Sequence, residues 1–172
     1  MNKHYKKLLI VLAILFVILG SFILYLSIPF MNGKTMVLAT RPIDPIDPFR
    51  GQYIIISYDI SRLPARSDVE NGQEVYIILA KDEKNVWRYQ SVSLTKPTEG
   101  DFIKGTVQSA YGDAMWVEYG IEQYFFEKGA SFSTQDLTVE VKVSSAGQAR
   151  ITRLLHEGKP VEIAYREPGV LS

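Results

Sequence analysis

The alternation of apolar and polar positions divides the chain into an apolar N-terminal segment and a longer part with short apolar runs separated by turns. Residues Leu8 to Ile28, LLIVLAILFVILGSFILYLSI, carry no charge. A helix of this length spans about 31 Å at about 1.5 Å per residue, and the hydrocarbon layer of a bilayer is ~30 Å thick. The pattern therefore predicts a single transmembrane helix.

The residues around this segment predict its orientation and its fate. Lys3, Lys6 and Lys7 precede it, and the positive-inside rule keeps a flank of this kind in the cytoplasm. The apolar run is longer than the core of a cleavable signal peptide, and no A-x-A-like site follows it. We expect a cytoplasmic tail at 1–7 and an uncleaved signal anchor at 8–30, with a cleaved signal or a buried core helix as alternatives.

The rest of the chain, 31–172, has the pattern of an extracytoplasmic all-β domain. Val139, Val141 and Val143 alternate with polar residues, which is the period of a half-buried strand. The sequence Tyr-Gly-Asp-Ala at 111–114 suits a hairpin loop with glycine at its first central position. About eight or nine strands in one domain predict an antiparallel β-sandwich or a partly open β-barrel. Strands are predicted at 35–40, 52–60, 73–81, 86–94, 102–110, 114–126, 137–144, 149–155 and 160–165, and a helical turn at 131–137.

Composition and charge exclude several kinds of site. Cysteine is absent, which excludes disulfides, thiolate metal sites and a cysteine nucleophile. The part after Ile28 has 16 basic and 19 acidic residues, a net charge of −3, whereas nucleic-acid binding needs a basic face. The two histidines, His4 and His156, lie far apart in the sequence and do not suggest a zinc site. We expect no catalytic residue, no metal and no cofactor.

A proline-rich segment at 41–50, RPIDPIDPFR, is the first candidate for a binding surface, and we call it the proline ridge. Proline at every third position favours polyproline II, which has three residues per turn, so residues three apart form columns. Arg41, Asp44, Asp47 and Arg50 form the charged column. The ridge is either an extended connector that balances its own charge or a rigid surface that a membrane partner binds.

The residues that follow the ridge resemble a known family. The stretch DPIDPFRGQYIIISY, residues 44–58, is similar to the signature of the bacterial GDYXXLXY family, Gly-Asp-Tyr-x-x-Leu-x-Tyr with a proline-rich run before it. VEYGIEQYFFEKG at 117–129 is similar as well, so the resemblance covers nearly the whole chain. Gly51, Tyr53 and Tyr58 match the motif, whereas Gln52 replaces its Asp and Ile56 replaces its Leu.

The resemblance implies a membrane-anchored envelope protein with a single span, and it implies no particular activity. Members are often encoded near multi-spanning membrane proteins, so such a protein is the expected partner. Because Gln52 stands where the family has Asp, a catalytic or metal-binding role of the motif acid cannot operate in this chain.

Strand periodicity divides the motif between two largely apolar faces. Tyr53, Ile55 and Ser57 share one face and Ile54, Ile56 and Tyr58 the other, as expected for a central core strand with hydrogen-bonded tyrosines. If 117–126 is one straight strand, Glu118, Gly120, Glu122 and Tyr124 share a face, and Glu122 either pairs with Arg50 or serves as an acid. The candidate binding residues are Arg41, Asp44, Asp47, Arg50, Gly51, Gln52, Tyr53, Tyr58, Tyr119, Glu122 and Tyr124.

Two functions are consistent with the sequence. The favoured one is a membrane-anchored binding or assembly module whose outer domain docks an integral membrane or envelope partner. The alternative is an envelope hydrolase, because GQYIII loosely resembles the Gly-Asp-x-x-x-Val segment of signal peptidases. Residues 41–51 contain no Ser, Thr, Lys or Cys that could act as nucleophile or base. A Ser or Thr beside an unpaired Lys in a cleft would favour the hydrolase.

Overall fold

The computed structural model describes residues 3–41, 53–126, 130–131, 136–161 and 164–165. Its single α-helix among these residues, α1 (Lys3–Met31), contains the predicted anchor. The segment Tyr5–Ser27 is long and apolar enough to cross a membrane, and none of its most apolar part is buried against the rest of the protein. A core helix would be covered by other elements, so the alternative of a buried core helix is wrong.

The other described residues form mainly β-strands, which confirms the all-β prediction for the part after the helix. A short 3-10 turn occupies Asp59–Ser61. The strands are β1 (Lys34–Ala39), β2 (Tyr53–Ile55), β3 (Arg62–Pro64), β4 (Glu74–Lys81), β5 (Trp87–Ser93), β6 (Asp101–Tyr111), β7 (Ala114–Glu118), β8 (Gln123–Phe125), β9 (Ala130–Ser131), β10 (Leu137–Val143), β11 (Ala149–His156), β12 (Lys159–Pro160) and β13 (Ala164–Tyr165).

One large sheet organises the domain. Its nine strands lie in the order β12-β11-β10-β1-β5-β4-β6-β7-β3, and two-stranded ribbons are formed by β2 with β8 and by β9 with β13. Neighbours in the large sheet are antiparallel except β1 and β5, which meet in parallel at Leu38 and Trp87. The sheet is therefore mixed, although most of its pairs are antiparallel as predicted.

The sheet curls until the turn between β10 and β11 reaches β6. The Lys104 N–H donates a hydrogen bond to the Gly147 carbonyl at 2.8 Å. Gly147 has φ +84°, and a Cβ there would lie 3.0 Å from the Lys104 nitrogen, so the turn needs glycine at this position. In the described part of the chain β6 and β10 make no ladder with each other, so the curled sheet is not a closed barrel.

The hydrophobic core lies on the inner face of the curled sheet. Val139, Val141 and Val143 are buried, whereas the alternate residues of β10 are half-buried, which confirms the predicted two-residue period. Buried residues from β4 and β6, including Val75 and Ile103, pack in the same cluster. The hairpin loop at 111–114 is also confirmed, since β6 pairs with β7 up to Tyr111 and Ala114, and Gly112 has φ +61°.

Two predicted strands are shorter than the sequence pattern indicated. The prediction of one strand over 52–60 is wrong, because β2 ends at Ile55 and the chain continues through a single bridge at Tyr58 into the 3-10 turn. The prediction of a straight strand over 114–126 is wrong as well, since Gly120 with φ +76° separates β7 from β8. The predicted helical turn at 131–137 lies mostly outside the described residues.

Candidate functional site

Two buried tyrosines join the end of the motif to the segment after β7. The Tyr58 hydroxyl donates to the Ile121 carbonyl at 2.7 Å, and the Tyr119 hydroxyl donates to the Ile60 carbonyl at 2.5 Å. We call these two reciprocal bonds the tyrosine clasp. Both tyrosine rings lie in the core cluster, so each hydroxyl satisfies a backbone carbonyl that is shielded from water. The clasp therefore fixes two loops to each other at their least exposed points.

Glu122 lies beside the clasp. Its Oε1 accepts a hydrogen bond from the Tyr119 N–H at 2.6 Å, and its carbonyl accepts one from the Ile56 N–H at 2.7 Å. Burial raises the pKa of the Glu122 carboxyl. Burial, and secondarily the charge of Glu122, raise the pKa of Tyr58 and of Tyr119 far above the ordinary value. Both tyrosines therefore remain protonated, as their hydrogen bonds to backbone carbonyls require.

Gly105 in β6 makes room for the clasp. A Cβ at this position would lie 2.4 Å from Cγ1 of Val117 and 2.9 Å from Cε1 of Tyr119. These distances are shorter than atoms can approach, so only glycine lets the ring of Tyr119 lie across the strand. In the sequence, the position of Gly105 as an isolated glycine inside a predicted strand is the feature that indicates the close approach of Tyr119.

The structure brings some of the predicted site residues together and separates others. Tyr58, Tyr119 and Glu122 meet at the clasp, whereas Tyr124 lies in β8 opposite Ile54 and packs against the core. The backbone of Tyr53 pairs with Phe125. Five predicted site residues lie outside the described residues: Asp44, Asp47, Arg50, Gly51 and Gln52. The charged column beyond Arg41 and the predicted pair of Arg50 with Glu122 therefore stay predictions.

The motif strand is not the two-sided core strand that the sequence indicated. Ile54 and Ile56 are buried, but Ile55 is 62% exposed, because β2 belongs to the small ribbon with β8 and one of its faces is open to solvent. The predicted alternation is correct for these residues, whereas the predicted burial of both faces is wrong.

A cluster of charges lies where the proline ridge begins. Arg41 Nε is 3.9 Å from Asp59 Oδ1, and Arg88 Nη1 is 2.5 Å from Asp59 Oδ2. Arg88 Nε also lies 3.0 Å from Asp82 Oδ2. These four residues, Arg41, Asp59, Arg88 and Asp82, form the ridge-base cluster. Only Arg41 was a sequence candidate, because nothing local in the sequence indicates that Arg88 approaches it.

A groove separates the end of α1 from the β domain. Its volume is about 1030 Å³. The helix contributes Tyr25, Leu26 and Phe30, and the domain contributes mostly polar side chains. No local sequence pattern indicates this groove, because its walls come from segments that are far apart in the chain. The domain wall is formed by Glu74, Lys104, Gly105, Thr106, Gln108, Glu118, Tyr119, Gly120, Gln148, Ala149 and Arg150.

The side chains that line the groove can be compared with those that the hydrolase alternative requires. Lys104 and Thr106 both line it, which is the combination that a Ser or Thr nucleophile with a lysine base would use. Lys104 Nζ, however, lies 2.6 Å from Glu74 Oε1 and forms an ion pair with it. A paired ammonium group has no lone pair to accept a proton, so this geometry does not favour the hydrolase. Within the described ranges, no three or more His, Asp or Glu side chains form a group that could hold a metal.

Comparison with known proteins identifies the family of this chain. A family model described as GDYXXLXY protein matches residues 15–154, which include most of α1, the motif and the tyrosine clasp. No curated protein and no solved structure is significantly similar to the chain. Since the match extends over well more than half of the chain, the protein belongs to the GDYXXLXY family.

Proposed function

We propose that this protein is a membrane-anchored module whose β domain lies at the outer surface of the cell membrane and docks an integral membrane or envelope partner. The observation that carries this proposal is the short joint between helix and domain. α1 ends at Met31 and β1 begins at Lys34, so only Asn32 and Gly33 separate them. A domain on so short a joint stays next to the bilayer, within reach of membrane proteins.

Contacts at the joint support a defined attachment. The Lys142 ammonium group donates to the Met31 carbonyl at 3.2 Å, and the Gly33 N–H donates to the Phe30 carbonyl at 3.3 Å. The last carbonyls of a helix lack partners within the helix, and a cation there also interacts favourably with the helix dipole. Gly33 is packed so closely that a Cβ would lie 2.8 Å from the Val143 carbonyl oxygen. These contacts hold β10 against the end of the helix.

The helix has the features of an anchor at both ends. Tyr5 and Tyr25 are exposed, and they lie about 30 Å apart along the axis at about 1.5 Å per residue. Tyrosine is enriched at the two interfaces of a bilayer, and this separation matches the hydrocarbon layer of ~30 Å. Together with Lys3, Lys6 and Lys7, this spacing favours a single-pass protein with a cytoplasmic N-terminus and an extracytoplasmic domain.

The proline ridge is the proposed docking surface. Its start is tied down, because the Arg41 N–H donates to the Ser57 carbonyl at 2.8 Å. The chain that follows the ridge is held by the pairing of β2 with β8 and by the clasp at Tyr58. The described residues on both sides of the ridge are therefore attached to the β domain. This arrangement supports the proposal that the ridge presents charges to a multi-spanning membrane protein.

Replacement of Asp44 and Asp47 together by Asn tests this proposal. Truncated charges at an interface weaken binding, so the variant should lose a membrane partner that the unaltered protein captures when crosslinked in native membranes. If the charged column faces solvent, the melting temperature of the variant should hardly change, because exposed ion pairs contribute only about 0 to 1 kcal/mol. The matched control is Asp113→Asn with Asp136→Asn, which removes the same charge from exposed turns. Retention of every partner by the ridge variant would refute the docking role.

A further inference from the structure

The groove beside α1 lies at the depth of lipid headgroups if the helix is an anchor, so this inference rests on the proposed function. Phe30 lies about 4.5 Å beyond Ser27, the end of the apolar span, at about 1.5 Å per residue. The headgroup layer on each side of the hydrocarbon is about 5 to 7 Å thick. Tyr25, Leu26 and Phe30 thus form an apolar wall where acyl chains meet headgroups.

Arg150 is a cation on the opposite wall of the groove, and its ionic partners can be judged among the described residues. Its guanidinium carbon lies 4.9 Å from the ring centroid of Phe30, a cation–π contact that directs it toward the membrane end of the groove. Among the described residues no carboxylate makes an ion pair with it, although Arg153 in the same strand pairs with Glu140 at 2.9 Å. Lys142, its register partner in β10, is engaged with the end of α1. The groove therefore holds an uncompensated positive charge.

Glu118 is the corresponding anion. Its Oε2 accepts a hydrogen bond from the Gln108 amide at 2.5 Å, but that partner is neutral. The other two charges of the groove, Lys104 and Glu74, neutralise each other at 2.6 Å. Among the described residues that line the groove, one positive side chain, Arg150, and one negative side chain, Glu118, thus have no ion-pair partner, and the charges of this lining sum to zero.

We propose that this groove binds the headgroup of a zwitterionic phospholipid that carries a primary ammonium group. Its phosphate lies at Arg150, whose planar donors suit phosphate oxygens, and its ammonium group lies at Glu118. Its acyl chains follow Tyr25 and Leu26 down the exposed helix. A soluble phosphate would use only Arg150 and would leave the apolar wall uncovered. The volume of about 1030 Å³ accommodates such a headgroup together with the first part of its chains.

Native mass spectrometry of the full-length protein in detergent tests this proposal. Phosphatidylethanolamine, phosphatidylglycerol and phosphatidylcholine are titrated separately, and the fraction of lipid-bound protein is measured. Phosphatidylethanolamine should bind roughly tenfold more tightly than the other two, because only it supplies both a phosphate and ammonium N–H donors. Arg150→Gln should weaken binding of all three lipids roughly tenfold, and Glu118→Gln should remove only the preference for phosphatidylethanolamine. The control Arg153→Gln should bind as the unaltered protein does.

Two further measurements keep the outcome decisive. Gln148 is replaced by a photo-crosslinking residue in an otherwise unaltered chain, and this residue should label lipid in membranes. Labelling of protein alone would show that a partner protein fills the groove and would overturn the proposal. Equal binding of the three lipids, or equal behaviour of Arg150→Gln and Arg153→Gln, would also overturn it. Alkaline extraction of membranes distinguishes the membrane-anchor hypothesis from the lipid-site hypothesis. If the protein is extracted, the anchor is refuted. If it stays in the membrane but shows no lipid preference, only the lipid site is refuted.

Discussion

Removal of the two hydroxyls of the tyrosine clasp should destabilise the domain measurably. Tyr58 is completely buried and Tyr119 is 7% exposed, so in Tyr58→Phe and in Tyr119→Phe one carbonyl loses its partner without access to water. An unpaired buried acceptor of this kind costs about 1 to 3 kcal/mol. For a domain of this size, a change of about 2 kcal/mol lowers the melting temperature by about 4 to 8 °C.

The assay is thermal unfolding of the full chain in detergent, followed by tryptophan fluorescence, to which the buried Trp87 and the partly exposed Trp116 contribute. Tyr111→Phe is the matched control, since Tyr111 is 85% exposed and its change should leave the melting temperature unaltered. Because both bonds join the same two loops, the double variant should lose less stability than the sum of the single variants. If Tyr58→Phe and Tyr119→Phe had the same melting temperature as the Tyr111→Phe control, the assignment of these hydroxyls to buried hydrogen bonds would be refuted.

Three further predictions concern charge, packing and topology. Burial raises the pKa of Glu122 above its unfolded value. Its contribution to stability is therefore complete below the unfolded pKa and is lost as the pH rises through the folded pKa. Glu122→Gln still accepts the bond from the Tyr119 N–H, so it should lose less stability than the unaltered protein as the pH rises in a series of thermal melts, and an unchanged profile would contradict this. Gly105→Ala should destabilise the domain by about 1 to 3 kcal/mol in urea unfolding, because its Cβ overlaps Val117, whereas Thr106→Ala on the same strand should have little effect. The proposed orientation, in which the three leading lysines keep the N-terminus in the cytoplasm, predicts that an alkaline phosphatase fused to the C-terminus is active. Activity of a cytoplasmic reporter instead would reverse the proposed orientation.

Local patterns predicted the elements whose structure depends on their own residues. The uncharged run from Leu8 to Ile28 predicted α1, and the alternating valines of β10 predicted a half-buried strand, because burial of one face has a fixed period along the chain. The hairpin at Gly112 followed from the positive φ that its turn requires. The resemblance at 44–58 indicates the family from local residues alone, and the family match confirms it.

The candidate site was predicted only in part, since its geometry depends on contacts between distant residues. The motif at 51–58 and the similar segment at 117–129 indicated Tyr58 and Glu122 as candidates. An alternating pattern, however, does not show where a strand ends or with which strand it pairs. The sequence therefore indicated long strands at 52–60 and 114–126, whereas the structure breaks both so that the tyrosine hydroxyls reach opposite loops.

The sequence by itself determined the apolar helix, the all-β class of the domain and the family, because each of these depends on local composition, periodicity or a motif. Only the tertiary structure decided that Tyr58 bonds to a carbonyl 63 positions away and that Arg150 lies over the ring of Phe30. Side chains from distant segments meet because the sheet curls and the joint holds β10 against α1. Such juxtapositions arise from the packing of the whole chain, in which each strand buries its apolar face against partners that its own residues do not specify.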